Sequence, residues 1–288
     1  MVTSCLVCRV LWCTFLSFHH SHDDPSLFLK CTSTGHILLA LYVDDMIITG
    51  YDVDGISMLE SNLASCFEIK DLGALQYFFG IKVASSPKSY LLSQSKYTID
   101  ILNWARVTNS KTIDNPLEVN VRYSSSDGKP LLDRTLYRTI VGNLVYLTIT
   151  YSDIDYDVHI ISQFVDSLTI VYWVAILHIL WYLWGIIFQK LLFPPPSSLE
   201  LYAYFDADWA NDPEDQKSTT RFYIFLGDSL ISWKSKKQTI VSQSSMEAKY
   251  RVMTSTTSEI VWLHWLLLNM RVSLSCPTLM YCDNKSAI

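Results

Sequence analysis

Adjacent carboxylates, Asp44 and Asp45, stand between two apolar runs, Leu41-Tyr42-Val43 and Met46-Ile47-Ile48. Neighbouring acids on a tight turn repel each other, and a divalent cation held by oxygen ligands, magnesium above all, relieves that cost. Two more acids, Asp206 and Asp283, sit far apart in sequence, each at the end of an apolar segment. An Asp-Asp turn alone does not define a metal site, so the elements that carry these acids decide what they can do.

From His36 to Thr49 the two apolar runs read as a β-hairpin with the acids at its tip. Ile56, Leu59, Leu63 and Phe67 recur at helical spacing and predict an amphipathic helix. Leu75 to Val83 and Tyr90 to Ser93 read as strands, and Lys96 to Trp104, Leu136 to Leu147 and Val158 to Leu168 as helices. The run Pro194-Pro195-Pro196 lacks backbone donors and cannot continue a helix, so a domain boundary belongs there. Beyond it come strands at Leu201 to Ala207, Arg221 to Leu226 and Leu230 to Lys234, a long helix from about Ser245 to Asn269, and a strand at Leu279 to Cys282. A crossover helix lets the last strand lie parallel beside the first, bringing the ends that carry Asp206 and Asp283 together.

The chain has 288 residues, half of them hydrophobic and 13% aromatic, enough for two domains with real cores. A formal charge of −6 excludes a broad electrostatic grip on nucleic acid, leaving local patches such as Lys234-Ser235-Lys236-Lys237, which reads equally well as a solvated turn. Of the seven cysteines only Cys5 and Cys8 have zinc-like spacing, and no second pair completes a site. Unpatterned thiols suit a reducing compartment. Residues Cys5 to Phe18 are largely apolar, but Arg9 interrupts them and His19, His20, Asp23 and Asp24 follow in place of a cleavage site. No signal peptide is therefore read there, and the expected location is intracellular, cytoplasmic or nuclear. Leu168 to Phe188 carries no formal charge and has the length of a membrane span, which gives a membrane-associated product as a minor alternative.

Tyr42-Val43-Asp44-Asp45 resembles the polymerase motif of reverse transcriptases. Lys70-Asp71-Leu72-Gly73, Tyr77-Phe78-Phe79-Gly80-Ile81, Leu91-Leu92-Ser93-Gln94-Ser95-Lys96-Tyr97 and Tyr137-Arg138-Thr139-Ile140-Val141-Gly142-Asn143-Leu144 then follow in the order of the copia-type retrotransposon Pol polyproteins. Asp206-Ala207-Asp208-Trp209-Ala210, Ile231-Ser232-Trp233-Lys234, Ser244-Ser245-Met246-Glu247-Ala248-Lys249-Tyr250 and Tyr281-Cys282-Asp283-Asn284 resemble the same family's ribonuclease H domain. The resemblance implies a mixed α+β and α/β chain in three parts. The C-terminal part of a reverse transcriptase, with a partial palm and thumb-like region, covers 1–115; a helical connection covers 116–196; and a C-terminally incomplete ribonuclease H-like domain covers 197–288.

It also implies RNA-directed DNA synthesis coupled to hydrolysis of RNA–DNA hybrids. The partners would be RNA, DNA, their hybrids and the rest of the Pol polyprotein, with no membrane partner. Both reactions use magnesium ions in pairs about 4 Å apart, held by several carboxylates. Asp44, Asp45, Asp206, Glu247 and Asp283 are the catalytic candidates, with Asp44, Asp45, Asp206 and Asp283 as metal ligands. Asp23 and Asp24, beside Pro25, do not resemble the family's earlier palm acid, so the polymerase site is expected to be incomplete. The family has Glu at the positions of both Glu247 and Lys249. One register gives the metal-binding role to the position Lys249 occupies, the other to Glu247, and residues two apart on a helix point about 200° apart. The final helix and fourth carboxylate of the family are expected to lie past Ile288. Leu177, Trp181 and Trp184 fall where the family's connection helix is basic, so lost charges explain the membrane-like stretch. Asp153, Asp155 and Asp157 read as surface acids unless paired. The expected product is an inactive fragment of a reverse transcriptase and ribonuclease H; the alternative is a catalytically silent remnant that binds nucleic acid.

Overall fold

The hairpin forms where the alternation places it, with β3 at His36–Tyr42 and β4 at Asp45–Gly50, preceded by β1 at His19–His20 and β2 at Leu27–Cys31. These four strands make one antiparallel sheet in chain order. The computed structural model describes residues 18–42, 45–66, 70–107, 111–117, 128–131, 133–166, 168–195 and 198–283. Asp44, and the segment holding Cys5, Cys8 and Arg9, lie outside them. Gly50 has φ +152°, and a Cβ there would strike the His36 carbonyl, so only glycine closes this hairpin edge. Helix α1, Val53–Cys66, follows, with the Asp52 carboxylate accepting the Gly55 amide at 2.9 Å at its start. Its Leu59 and Leu63 bury against Phe28, Ile37 and Leu39.

The chain divides into two compact units: residues 1–78 with 258–274, and residues 79–257 with 275–288. In the first, after α1, comes the short strand β5 at Tyr77–Phe78. The second opens on a turn. Phe79 and Gly80 have φ of 52° and 70°, so the strand expected from Leu75 to Val83 is interrupted there, and β6 runs only over Ile81–Ser86. Strand β7, Ser89–Ser93, pairs antiparallel with β6 and with β8, Leu191–Phe193.

Between β7 and β8 lie α2 (Ser95–Trp104), α3 (Arg134–Leu147), α4 (Asp155–Ser162) and α5 (Ile170–Gly185). Their apolar faces build one core from Leu102, Tyr137, Leu144, Ile161, Ile176 and Leu180 among others. The helix expected from Val158 to Leu168 starts earlier, after a 3-10 turn at Ser152–Ile154, and stops at Ser162. The backbone beyond is taken by another partner, since the Leu168 carbonyl accepts the Leu131 amide and Thr169 bridges Pro130. Helix α5 is the membrane-like stretch, and it is shorter than the apolar run. Tyr172, Ile176, Ile179, Leu180 and Leu183 line its buried face, while Leu177, Trp181 and Trp184 lie half-buried against the same core. No helix among the described residues is long and apolar enough to cross a membrane.

Tyr151 shows how polar atoms are settled in this core. Its hydroxyl donates to the Ile187 carbonyl at 3.1 Å and accepts from Thr98 at 3.4 Å. Tyr151→Phe should remove both bonds and cost about 1 kcal/mol in urea unfolding, the usual net worth of a buried hydrogen bond, and no more, because the Ile187 carbonyl keeps the Ser95 hydroxyl and Thr98 keeps the Gln94 carbonyl. An unchanged midpoint would show that neither bond contributes.

The last part holds β9 (Leu201–Asp208), β10 (Thr219–Leu226), β11 (Ser229–Lys237), α6 (Ser245–Asn269) and β12 (Leu279–Tyr281). The sheet order is β11-β10-β9-β12, antiparallel except that β12 runs parallel to β9, pairing Leu279 with Tyr202 and Tyr281 with Tyr204. That is the crossover expected from the strand and helix order. Ala248, Val252 and Thr256 recur every fourth residue along α6 and are fully buried, which marks the covered face of its first half. In the first unit the second half of α6 ties to the β1–β2 connection: the Trp262 indole donates to the Asp23 carbonyl at 2.9 Å.

Candidate functional site: an ammonium between two strand-end carboxylates

Asp206 lies on β9, an alternating strand whose odd positions Ala203, Phe205 and Ala207 are buried and whose even positions Tyr204 and Asp206 are exposed. Asp283 follows β12 by two residues. Because β12 runs parallel to β9, the chain leaves both strands at the same end and the two carboxylates converge. Between them stands Lys249 of α6. Its Nζ lies 3.3 Å from Asp206 Oδ1 and donates a short hydrogen bond to Asp283 Oδ1. The Lys249 side chain is only 10% exposed, against 54% for Asp206 and 74% for Asp283, so the cation is rooted and the anions face solvent. Burial works against the Lys249 charge, but the hydrogen bonds it donates to Asp283 and Asp206 outweigh it and raise its pKa above the ordinary lysine value. The Lys249 hydrogen bond in turn holds the Asp283 carboxyl below its ordinary value.

Glu247 is engaged elsewhere. Its carboxylate accepts the Gln243 amide at 2.8 Å and the Arg251 guanidinium at 2.7 Å, while its own amide donates to Ser244 Oγ at 3.1 Å. Ser244 thus caps the start of α6 while Glu247 reaches back to the amide just before the cap, a variant of the capping box legible in the sequence as S-x-x-E. Ser244→Ala should cost about 1 kcal/mol of stability by freeing the first-turn amide; hydrogen exchange at Glu247 reads that loss directly, and an unaltered rate would remove the cap.

Asp45 opens β4 opposite Tyr42 and is exposed. Asp24 accepts the amide and hydroxyl of Ser26 at 2.8 and 2.7 Å, and Asp23 accepts the Asn269 amide group at 2.6 Å, so both acids serve the turn and the tether of the first unit. Among the described residues, no group of three or more His, Cys, Asp or Glu could hold a metal ion.

The basic patch is partly spent. Lys237 Nζ pairs with Asp212 and, at 2.9 Å, with Asp215, while its backbone amide donates to His159 Nε2 at 2.7 Å. Lys234 and Lys236 remain exposed at the sheet edge. The acids around residue 155 are not all at the surface: Asp155 and Asp157 are half-buried where α4 meets β10 and β11. Burial raises the pKa of both, that of Asp157 to about 7 despite the Arg221 charge and with help from Asp153. The Arg221 guanidinium lies 3.7 Å from the centre of the Tyr156 ring and 3.6 Å from Asp208. Sequence spacing had no signal for this cluster, because it is made by the docking of a helix on a distant sheet.

The family described as "Reverse transcriptase (RNA-dependent DNA polymerase)" matches residues 6–119. Two retrovirus-related Pol polyproteins from Arabidopsis thaliana transposons are 37% and 38% identical over 272 residues, which is 94% of this chain and 19% of each relative. A retrovirus-related Pol polyprotein from a Nicotiana tabacum transposon is 33% identical over 93% of the chain, and an uncharacterized mitochondrial protein of Arabidopsis thaliana is 40% identical over 78% of the chain and 93% of its own length. The chain thus spans about a fifth of the length of the Pol polyproteins it matches. No solved structure matches it significantly. With the ordered motifs from Asp45 to Asp283, these similarities place the chain in the family of copia-type retrotransposon Pol polyproteins, with reverse transcriptase sequence over residues 6–119.

Proposed function

We propose that this chain derives from a polyprotein that coupled RNA-directed DNA synthesis to the removal of RNA from RNA–DNA hybrids, and that its residues 197–288 belong to a ribonuclease H-like domain that does not hydrolyse RNA. The single observation that carries this reading is the array Asp206–Lys249–Asp283. It joins one strand-end acid to another through a helix residue, the placement that two-metal hydrolysis needs for its carboxylates. The donor set does not suit magnesium, however. A magnesium site requires oxygen ligands close to the ion, and an ammonium within hydrogen-bond reach of both aspartates repels it and occupies their lone pairs. Glu247, bound to Arg251 and the Gln243 amide, is not available to complete the set.

The polymerase reading rests on the family match and the β3–β4 hairpin, with Asp45 at its described end. RNA, DNA and the remainder of a Pol polyprotein are the partners this reading assigns.

The test is an assay of the purified chain on an RNA–DNA hybrid with millimolar magnesium. Cleavage no faster than that of an Asp206→Asn control is expected. Cleavage that depends on Asp206 would overturn the proposal.

A further inference from the structure

Strand β12 is three residues long, lies at the sheet edge and, among the described residues, pairs only with β9. Its Leu279 and Tyr281 are 58% and 45% exposed, and its apolar hold on β9 is the Tyr281 ring stacked on Tyr204 at the surface. Three parallel pairings are a weak attachment. Lys249 supplies what the strand lacks. It reaches from α6 to Asp206 on β9 and to Asp283 just beyond β12, so one side chain links the helix and both strands.

We infer that the Lys249 ammonium is a resident cation, which fastens β12 to β9 and α6 and makes this end of the domain independent of divalent metal. The inference rests on the reading of Asp206 and Asp283 given above, and it concerns structure where that reading concerns hydrolysis. The charge arithmetic favours it. One buried positive charge serves two solvent-facing negative ones, and the exposed aspartates lose little hydration in giving it partners. A divalent ion would have to displace an ammonium whose stem is covered on all sides but a tenth of its surface. No rearrangement of exposed groups alone can accomplish that.

Hydrogen exchange of the full chain separates the outcomes. The Leu279, Met280 and Tyr281 amides should exchange about threefold to tenfold faster in Lys249→Met than in the native chain, while Lys249→Arg, which keeps the charge, preserves most of the protection. Asp283→Asn, at an exposed position that leaves the core alone, should loosen the same amides and not those of β10. Chelation with EDTA or addition of manganese should change nothing in the native chain. Unchanged β12 exchange in both Lys249→Met and Asp283→Asn would overturn the inference, as would loosening of β12 by EDTA. Hybrid cleavage by the native chain would refute the hydrolysis reading while leaving these exchange rates free to stand or fall separately.

Discussion

Leu180→Ala is expected to destabilise the second unit by about 2–5 kcal/mol, the range for removing a large aliphatic side chain from a closed core. Leu180 is fully buried in the cluster that joins α2, α3, α4 and α5, so the deleted methyl groups leave a cavity that neighbours on four helices must collapse to fill. Val174, on the same helix, is 45% exposed, and Val174→Ala should cost less than about 0.5 kcal/mol. Urea unfolding followed by tryptophan fluorescence measures both. The contrast matters because α5 is the most apolar of the described helices. If it served as a lipid anchor, both faces would meet hydrocarbon, the two substitutions would cost alike, and the native chain would partition into detergent.

Asp157→Asn is expected to stabilise the protein at pH 8, on the order of 2 kcal/mol, and to turn a flat stability profile in mild acid into a rising one. Burial lifts the Asp157 pKa from 3.8 to about 7, so between these values the folded chain holds a proton that the unfolded chain has released. Stability contributed by this group is therefore lost as pH rises from about 4 to 7. His159 works the other way: burial, then the Lys237 and Lys236 charges, depress it from 6.5 to about 4, so its contribution grows as pH rises through that window. In the native chain the two slopes oppose each other. The Asp157→Asn substitution removes the larger of the opposing contributions and leaves the smaller one of Asp155, so stability should then climb from about pH 4 to 6.5. A native-like flat profile with a loss at pH 8 would mean that Arg221 stabilises the Asp157 carboxylate more than burial opposes it.

The strand and helix order of the last part was readable because its period changes cleanly, from alternation in β9 to four-residue recurrence in α6. The parallel placement of β12 followed from the crossover rule. Lys249 was legible as a problem, though not as a solution. The sequence shows a lysine beside a glutamate, but only the phase of α6 on the sheet decides which one faces Asp206. The capping box is a local signal that settles the same question, since a Glu spent on the helix start cannot also reach the strand ends. Other features needed the tertiary structure. The break at Phe79-Gly80 depends on a left-handed non-glycine residue, and the early end of α4 depends on the Leu131 amide taking the Leu168 carbonyl. The half-burial of Asp155 and Asp157 arises from helix docking that no spacing rule encodes. The apolar stretch in α5 was long enough for a membrane by count, and it became a core helix because three other helices cover one of its faces.

A double-mutant cycle between Lys249→Met and Asp283→Asn tests directly whether the ammonium stands between the two strand-end aspartates. With Asp283 largely exposed, a small favourable coupling is expected in urea unfolding at low salt, weakening as salt is added, with the Asp206→Asn and Lys249→Met pair coupled in the same sense. Strict additivity of both pairs would contradict it.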